Sequence, residues 1–369
     1  MKVLHINSYY STSPFYKNLF EKQIESGIDI DVFVPVAYTF KKREFDYGKY
    51  TLISKDHSKY HRVIFHLKHS KIYKDILERY NVEDYSLIHA HSLFSNGYIA
   101  LKLKRKFGIP YIVAVRNTDI NIFFKKIIYL RKLGLEILKE AEQIIFLSRT
   151  YKDQVIKRYV PEKLKDEICN KISIIPNGID KFWFDNEGGK KHILDKNLRL
   201  LYVGAVNKNK NIIATIKAIS LLQQEGYQVK YSIVGKIEDK CIYNHIKNIP
   251  WINYISPMKK EELISIYRDN DIFVMPSIHE TFGLVYAEAM SQGLPVIYTK
   301  EQGFDGQFKE GEVGYPVECK NYKSLAQKIC GIVNDYDAIT YNCLIKYNKF
   351  DWEYISREYE NIYNKILLV

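Results

Sequence analysis

Short β-branched runs alternate with helical patterns along almost the whole chain, and no other feature narrows the possible folds so far. In the first half the strand candidates are 2–6 (KVLHI), 30–35, 63–66, 86–90, 111–115, 143–147 and 172–175. Helical stretches such as 15–26, 71–80, 95–106 and 123–141 separate them. A strand–helix rhythm of this kind favours a parallel, doubly wound sheet with helices on both faces. It lapses at 185–197, DNEGGKKHILDKN, which is glycine-rich, polar and linker-like. It then restarts, with strands at 199–204, 229–235, 251–255, 271–275 and 295–298 and helices at 210–224, 260–268, 283–291 and 321–334. The expected class is therefore α/β, with two Rossmann-like parallel-sheet domains in tandem. A length of 369 residues suits two such cores better than one.

Charge adds a constraint. Residues 1–190 hold 33 Lys and Arg against 22 Asp and Glu, while 191–369 hold 22 against 21. The densest stretch, 101–150, holds 11 against 4. A lysine-rich proteome alone would not leave the second half neutral, so the first half is expected to meet a polyanion such as a membrane face, nucleic acid or an acidic glycan. The five cysteines form no C-x-x-C pair, which points to a reducing compartment. The N-terminal MKVLHINSYY reads as a strand, and no apolar run approaches the roughly 20 residues that span a bilayer. A cytoplasmic location is expected. No G-x-G-x-x-G follows a predicted strand, which argues against a nicotinamide dehydrogenase.

In open α/β sheets ligands sit outside the carboxyl ends of the strands, so residues that follow strands matter most. The richest segment is 276–295, PSIHETFGLVYAEAMSQGLP. After strand 271–275 the turn carries Glu280, and a helix begins near Phe282-Gly283-Leu284. The first amides of a helix lack partners and lie at the positive end of its dipole, which makes an anion site. Gly283 removes the side chain that would hold a phosphate off. Glu288 lies one turn beyond Leu284 among Ala287, Ala289 and Met290. A carboxylate there needs donors, and ribose hydroxyls would serve. An amphipathic helix with an incidental glutamate is the bland alternative for Glu288 taken alone.

Glu280 and Glu288 reproduce the E-x7-E spacing of retaining glycosyltransferases, and ETFGLVYAEAMSQGLPVI closely resembles family 4 of that class. The resemblance implies that Glu280 contacts the donor hexose, that the backbone of Phe282, Gly283 and Leu284 holds the phosphates, and that Glu288 binds the ribose. Further similar stretches follow in order: FLSRT at 146–150, IPNGID at 175–180, YVGAVNKNKN at 202–211, SIVG at 232–235 and the closing DWEYISREYENIYNKILL. Gly204 ends a strand and admits a ligand, and Lys210 or Lys208 can neutralise a diphosphate. The family usually has an arginine after that glycine where this chain has Ala205, so either those lysines carry the whole diphosphate charge or donor binding is weak.

The resemblance implies a GT-B fold, two Rossmann-like domains facing across a cleft. Residues 1–185 would bind acceptor, 198–350 would bind the nucleotide sugar, and 351–369 would be a helix crossing back to the first domain. The implied activity is hexose transfer with retention from a nucleoside diphosphate sugar to a glycan or lipid-linked acceptor, in surface polysaccharide synthesis. No metal, no other cofactor and no nucleic acid is expected. An epimerase on the same fold and a non-catalytic sugar-nucleotide or glycan-binding protein are the alternatives.

In the first domain, HAHSLFSNG places His91 at the mouth of a strand, where similar enzymes contact the sugar. His89 is read as facing the other side of the strand, in a structural role. Arg116 and Asp119 follow strand 111–115 and either bind acceptor or pair to hold their loop. Residues 8–18, SYYSTSPFYKN, replace the family's glycine loop. Finally, 122–139, IFFKKIIYLRKLGLEILK, on a helix has an apolar face bordered by Lys125, Lys126, Arg131, Lys132 and Lys139. It reads either as an anionic-membrane anchor, with the protein peripheral at the inner face, or as an ordinary helix packing on its sheet.

Overall fold

The computed structural model describes residues 1–58, 60, 64–190 and 196–368. They form two units: Met1–Pro176 with Trp352–Val369, and Asn177–Asp351. In the first unit β1 (Lys2–Ile6), β2 (Asp29–Ala37), β3 (Thr51–His57), β4 (Leu87–Ala90), β5 (Tyr111–Val115), β6 (Gln143–Phe146) and β7 (Ile172–Ile174) make one sheet in the order β3-β2-β1-β4-β5-β6-β7. Every recorded pairing in it is parallel. A parallel sheet covered on both faces needs continuous apolar strands. β5, YIVAV, is buried at every position.

The second unit repeats the plan with β8 (Asn197–Val203), β9 (Gln228–Val234), β10 (Ile252–Ile255), β11 (Ile272–Val274), β12 (Val296–Thr299) and β13 (Gly314–Val317), ordered β10-β9-β8-β11-β12-β13 and parallel throughout. In each sheet the winding reverses beside the first strand, between β1 and β4 and between β8 and β11. Loops leaving the carboxyl ends of such neighbours part to opposite faces and open a crevice there. The segments 8–16 and 91–94 border the first crevice, and 204–211 and 275–283 border the second.

The units part at Pro176, ahead of the polar stretch 185–197, of which 191–195 lie outside the described residues. Residues 177–190 are held by the second unit: the Ile179 amide donates to the Phe350 carbonyl (2.9 Å), Trp183 meets the Tyr267 ring edge-on, and the Gly188 amide donates to the Ser291 carbonyl (2.9 Å). The expected strand 63–66 is not one. Residue 63 lies outside the described residues, and a helix, Phe65–Arg79, has already begun at Phe65. The edge strand is instead β3, TLISKDH, in which Lys55 and Asp56 hide the apolar alternation.

The expected helix 123–141 also breaks up. A π-turn (Asp119–Phe124), a 3-10 turn (Ile128–Leu130) and a helix (Arg131–Glu140) replace it. The helix Trp352–Leu367 belongs to the first unit, where Trp352, Ile355, Tyr359 and Tyr363 join the core with Tyr10, Leu19, Phe20 and Ile112. Its Tyr363 hydroxyl accepts from Gln23 Nε2 (2.9 Å) and lies 2.6 Å from His89 Nδ1.

Candidate active site

The crevice of the six-stranded sheet gathers most of the residues singled out in the sequence. Gly204 follows β8, and its φ of +153° suits glycine. A Cβ there would press on the Tyr202 hydroxyl and approach Lys210 Cε. Beyond it the turn Lys208–Lys210 is capped by Asn207, whose Oδ1 accepts from the Lys210 amide (3.2 Å). This cap turns Lys210 inward and leaves Lys208 exposed. Lys210 Nζ lies 2.6 Å from Glu280 Oε2, with only 19% and 12% of the two side chains exposed. Ser277 Oγ donates to the same oxygen (3.3 Å), and the Thr281 amide to Glu280 Oε1 (3.1 Å). The first glutamate of the pair is thus oriented by a lysine, a hydroxyl and an amide.

Two asparagines join the two loops of this crevice, and the sequence reading passed over both. Asn209 Nδ2 donates to the His279 carbonyl (2.8 Å), and its Oδ1 accepts from the His279 amide (3.0 Å). Asn211, at φ +55°, donates to the Pro276 carbonyl (3.0 Å). The alternation NKNKN carries the signal: lysines for charge, asparagines for turn and clamp.

Gly283 caps the helix Leu284–Ser291 at φ +74°, where a Cβ would collide with the Tyr286 ring. No side chain caps the helix, so its leading amides present an anion site bordered by Lys210 and Glu280. Phe282 is buried, its ring against Phe304 and Phe350. Glu288 keeps some exposed surface, yet the packing around its carboxyl raises the pKa to about 7, which the Tyr267 hydroxyl, donating to Oε2 at 3.1 Å, partly opposes. Nothing in the sequence marks Tyr267, because it reaches Glu288 from another helix, Lys260–Asp269.

The seven-stranded sheet departs from expectation at His91. His91 directly follows β4, at the mouth of the strand, but its ring is fully buried. Its Nε2 lies 3.0 Å from His5 Nδ1, and it stacks on His89 with centroids 4.0 Å apart. His89 therefore shares the face of His91, as the two-residue period of a strand requires, and does not face the opposite side. Burial first, then the neighbouring charges, holds both imidazoles well below the ordinary histidine pKa. One nitrogen from each of His5, His89 and His91 lies within 4.8 Å of the other two.

Arg116 and Asp119 are both buried, but Asp119 serves the backbone. Its carboxylate accepts from the amides of Leu93 (3.0 Å), Phe94 (3.1 Å) and Arg116 (2.8 Å). Burial nevertheless raises its pKa to about 6. Arg116 Nε donates to the His91 carbonyl (3.2 Å). The pair thus fixes the loop ends after β4 and β5. Beside it opens a cavity of about 1210 Å³, bordered by Tyr9, Ser92 and Asp119.

With this geometry in hand, comparison with known proteins gives a consistent result. Residues 15–181 match the family model "Glycosyltransferase Family 4", and 184–350 match "Glycosyl transferases group 1". An uncharacterized glycosyltransferase of Methanocaldococcus jannaschii is 26% identical, covering 94% of this chain and 92% of that protein. The capsular polysaccharide biosynthesis glycosyltransferase CapM of Staphylococcus aureus is 30% identical over 62% of each chain. Among solved structures, sucrose-phosphate synthase of Thermosynechococcus elongatus superposes with a TM-score of 0.76 at 17% identity, covering 100% of this chain and 99% of that one. Anabaena HepE, solved with UDP-glucose, superposes with a TM-score of 0.66 at 14% identity, covering 99% of this chain and all of that one. Both share the fold, which is GT-B.

Proposed function

The chain belongs to glycosyltransferase family 4, and from that premise we propose that it moves a hexose from a nucleoside diphosphate sugar to a glycan or lipid-linked acceptor, with retention of anomeric configuration. The observation that carries this reading is the cluster at the six-stranded sheet: Lys210 paired with Glu280 beside an uncapped helix start, and Glu288 one turn into that helix. Lys210 and the leading amides bind the diphosphate, Glu280 meets the hexose and Glu288 accepts from the ribose. A diphosphate entering here shares Lys210 with Glu280, so the leaving charge meets an oriented cation as it forms. We assign no nucleophile among the described residues, and the departing diphosphate takes the acceptor proton. Catalysis then rests on positioning and charge stabilisation.

The relative CapM supports a role in surface polysaccharide synthesis, and the HepE complex supports a UDP-sugar donor. The reading is metal-free. The three imidazoles of the first unit adjoin Arg116, whose charge opposes a cation there, and no carboxylate joins their cluster among the described residues. A panel of nucleotide sugars tested for thermal stabilisation, followed by transfer assays, tests the whole. Stabilisation by a nucleoside diphosphate sugar and acceptor-dependent turnover that survives EDTA are expected. Turnover of donor alone to a free sugar or epimer would replace this reading with the epimerase. Loss of activity in EDTA restored by magnesium or manganese would remove the metal-free part.

We place the acceptor at a membrane surface, reached through 122–139. Ile122, Ile128 and Tyr129 stand exposed in the segment that carries the exposed Lys125, Lys126, Lys132 and Lys139. Among the described residues no helix is long and apolar enough to cross a membrane.

A further inference from the structure

We propose that the cavity at the carboxyl edge of the seven-stranded sheet binds the acceptor through a phosphate ester, held by the cationic rim Lys41, Lys42 and Arg43. The proposal rests on the transferase reading and adds the acceptor's chemical class. The cavity, about 1210 Å³, has room for a sugar phosphate. All its lining residues belong to the first unit.

The rim is built by its flanks. Phe40 and Phe45 pack against the core cluster, and Phe45 lies against Tyr47 with centroids 4.0 Å apart. The Tyr38 amide donates to the His57 carbonyl (2.8 Å), and the Phe40 amide to the Ala37 carbonyl (2.8 Å). Both ends of the segment are thereby fixed, and the three successive cations between them are raised into solvent. Among the described residues none of the three forms an ion pair. Lys42 Nζ sits 5.4 Å over the Tyr47 ring, a contact that positions the cation without neutralising it.

Four cations line the cavity against two carboxylates, Glu44 and Asp119. Asp119 already accepts from three backbone amides, which leaves it poorly placed to satisfy a lysine. Hydroxyls from Ser8, Thr39, Ser92 and Ser95 line the same space. Cations at the rim and hydroxyl donors within suit a group that carries nearly two negative charges and three acceptor oxygens. At the back, His57 Nδ1 bonds to the buried Asp56 carboxylate, which fixes the ring against the cavity wall. The phosphate could belong to a soluble sugar phosphate or to a lipid phosphate, and the probes below separate these sources.

Calorimetry on the full chain would compare glucose 6-phosphate with methyl glucoside and glucuronate, each with saturating UDP present. Vesicles of phosphatidylcholine with and without polyprenyl phosphate form the lipid arm. Binding of at least one phosphate ester about tenfold tighter than its neutral counterpart is expected. K41Q/K42Q/R43Q should lose most of that preference, and K41R/K42R/R43K should restore it. Binding confined to the vesicles assigns a lipid source, and binding of glucose 6-phosphate shows that the soluble head suffices. No preference for phosphate in either arm, an equal affinity for glucuronate, or a preference untouched by the glutamine variant would overturn the proposal, as would displacement by UDP. UDP affinity measured on the same protein reads the donor site separately. Failure to bind UDP or any other nucleoside diphosphate of the panel would sink the transferase reading and leave the phosphate cavity standing.

Discussion

Glu288 is the residue on which the donor reading turns. Its carboxyl is raised from 4.5 to about 7 by burial, so ionising it costs the folded chain. The unfolded chain pays no such cost, and the penalty therefore grows from pH 4.5 to about 7 and is complete above that. Ligand-free Glu288→Gln should match the parent Tm near pH 4.5 and exceed it at about pH 8. Ribose hydroxyls donate best to the ionised form, so UDP should bind the parent more tightly as pH rises through 7 and then level off. The glutamine variant should bind about 1.5–3 kcal/mol more weakly at high pH. A folded variant with unchanged UDP affinity by calorimetry would remove Glu288 from the ribose. The sequence made this residue legible because the strand end, turn and helix that carry it lie in one local segment, 276–295, whereas its partner Tyr267 comes from another helix. The burial of His91 was not legible, because its surroundings, His5 and Tyr16, come from distant positions that no local pattern announces.

At the scale of elements, the asparagine clamp ties the turn Lys208–Lys210 to the loop carrying Glu280. Asn209→Ala removes two hydrogen bonds, worth about 0.5–1.5 kcal/mol each. Donor affinity should fall by a similar amount with little change in far-ultraviolet circular dichroism; an unaltered affinity would show that the loop holds its place unaided. The segment 122–139 makes a separate test. Arg131 donates to the Phe124 carbonyl (2.7 Å) and lies over Tyr159, so it is engaged internally. Lys125, Lys126, Lys132 and Lys139 are the cations left for lipid headgroups. Their replacement by glutamine should abolish salt-sensitive co-sedimentation with anionic vesicles and spare UDP binding. Parent protein that ignores such vesicles would favour an acceptor free in solution. Regular elements with buried faces were readable from apolar runs. β13 was not, since GYPV carries a glycine and a proline that an edge strand tolerates and a pattern does not reveal.

Across the whole molecule, tandem alternation made both sheets legible, and their topology explains why two distant motifs, YVGAVNKNKN and HETFGL, share one crevice: each follows a strand beside the winding reversal. The boundary was less legible, because composition marks flexible-looking chain and not contacts. The helix Trp352–Leu367 completes the first unit, with Trp352, Tyr359 and Tyr363 nearly inaccessible. Deleting 352–369 should expose the core around Tyr10 and Phe20 and leave Gln23 and His89 without their tyrosine partner. Cooperative melting of the first unit should be lost, with increased binding of a hydrophobic dye. A truncated chain that melts as sharply as the parent would show the helix to be dispensable.

That helix also sets an order in time. Residues 177–351 form a contiguous unit, whereas the first unit must wait for residues made after all of these. During synthesis the amino-terminal sheet emerges first and is finished last. Until Trp352–Leu367 leaves the ribosome, the apolar surface it covers stands open, and the second unit can be complete while the first is still unsealed. For this chain, vectorial synthesis and structural completion run in opposite directions.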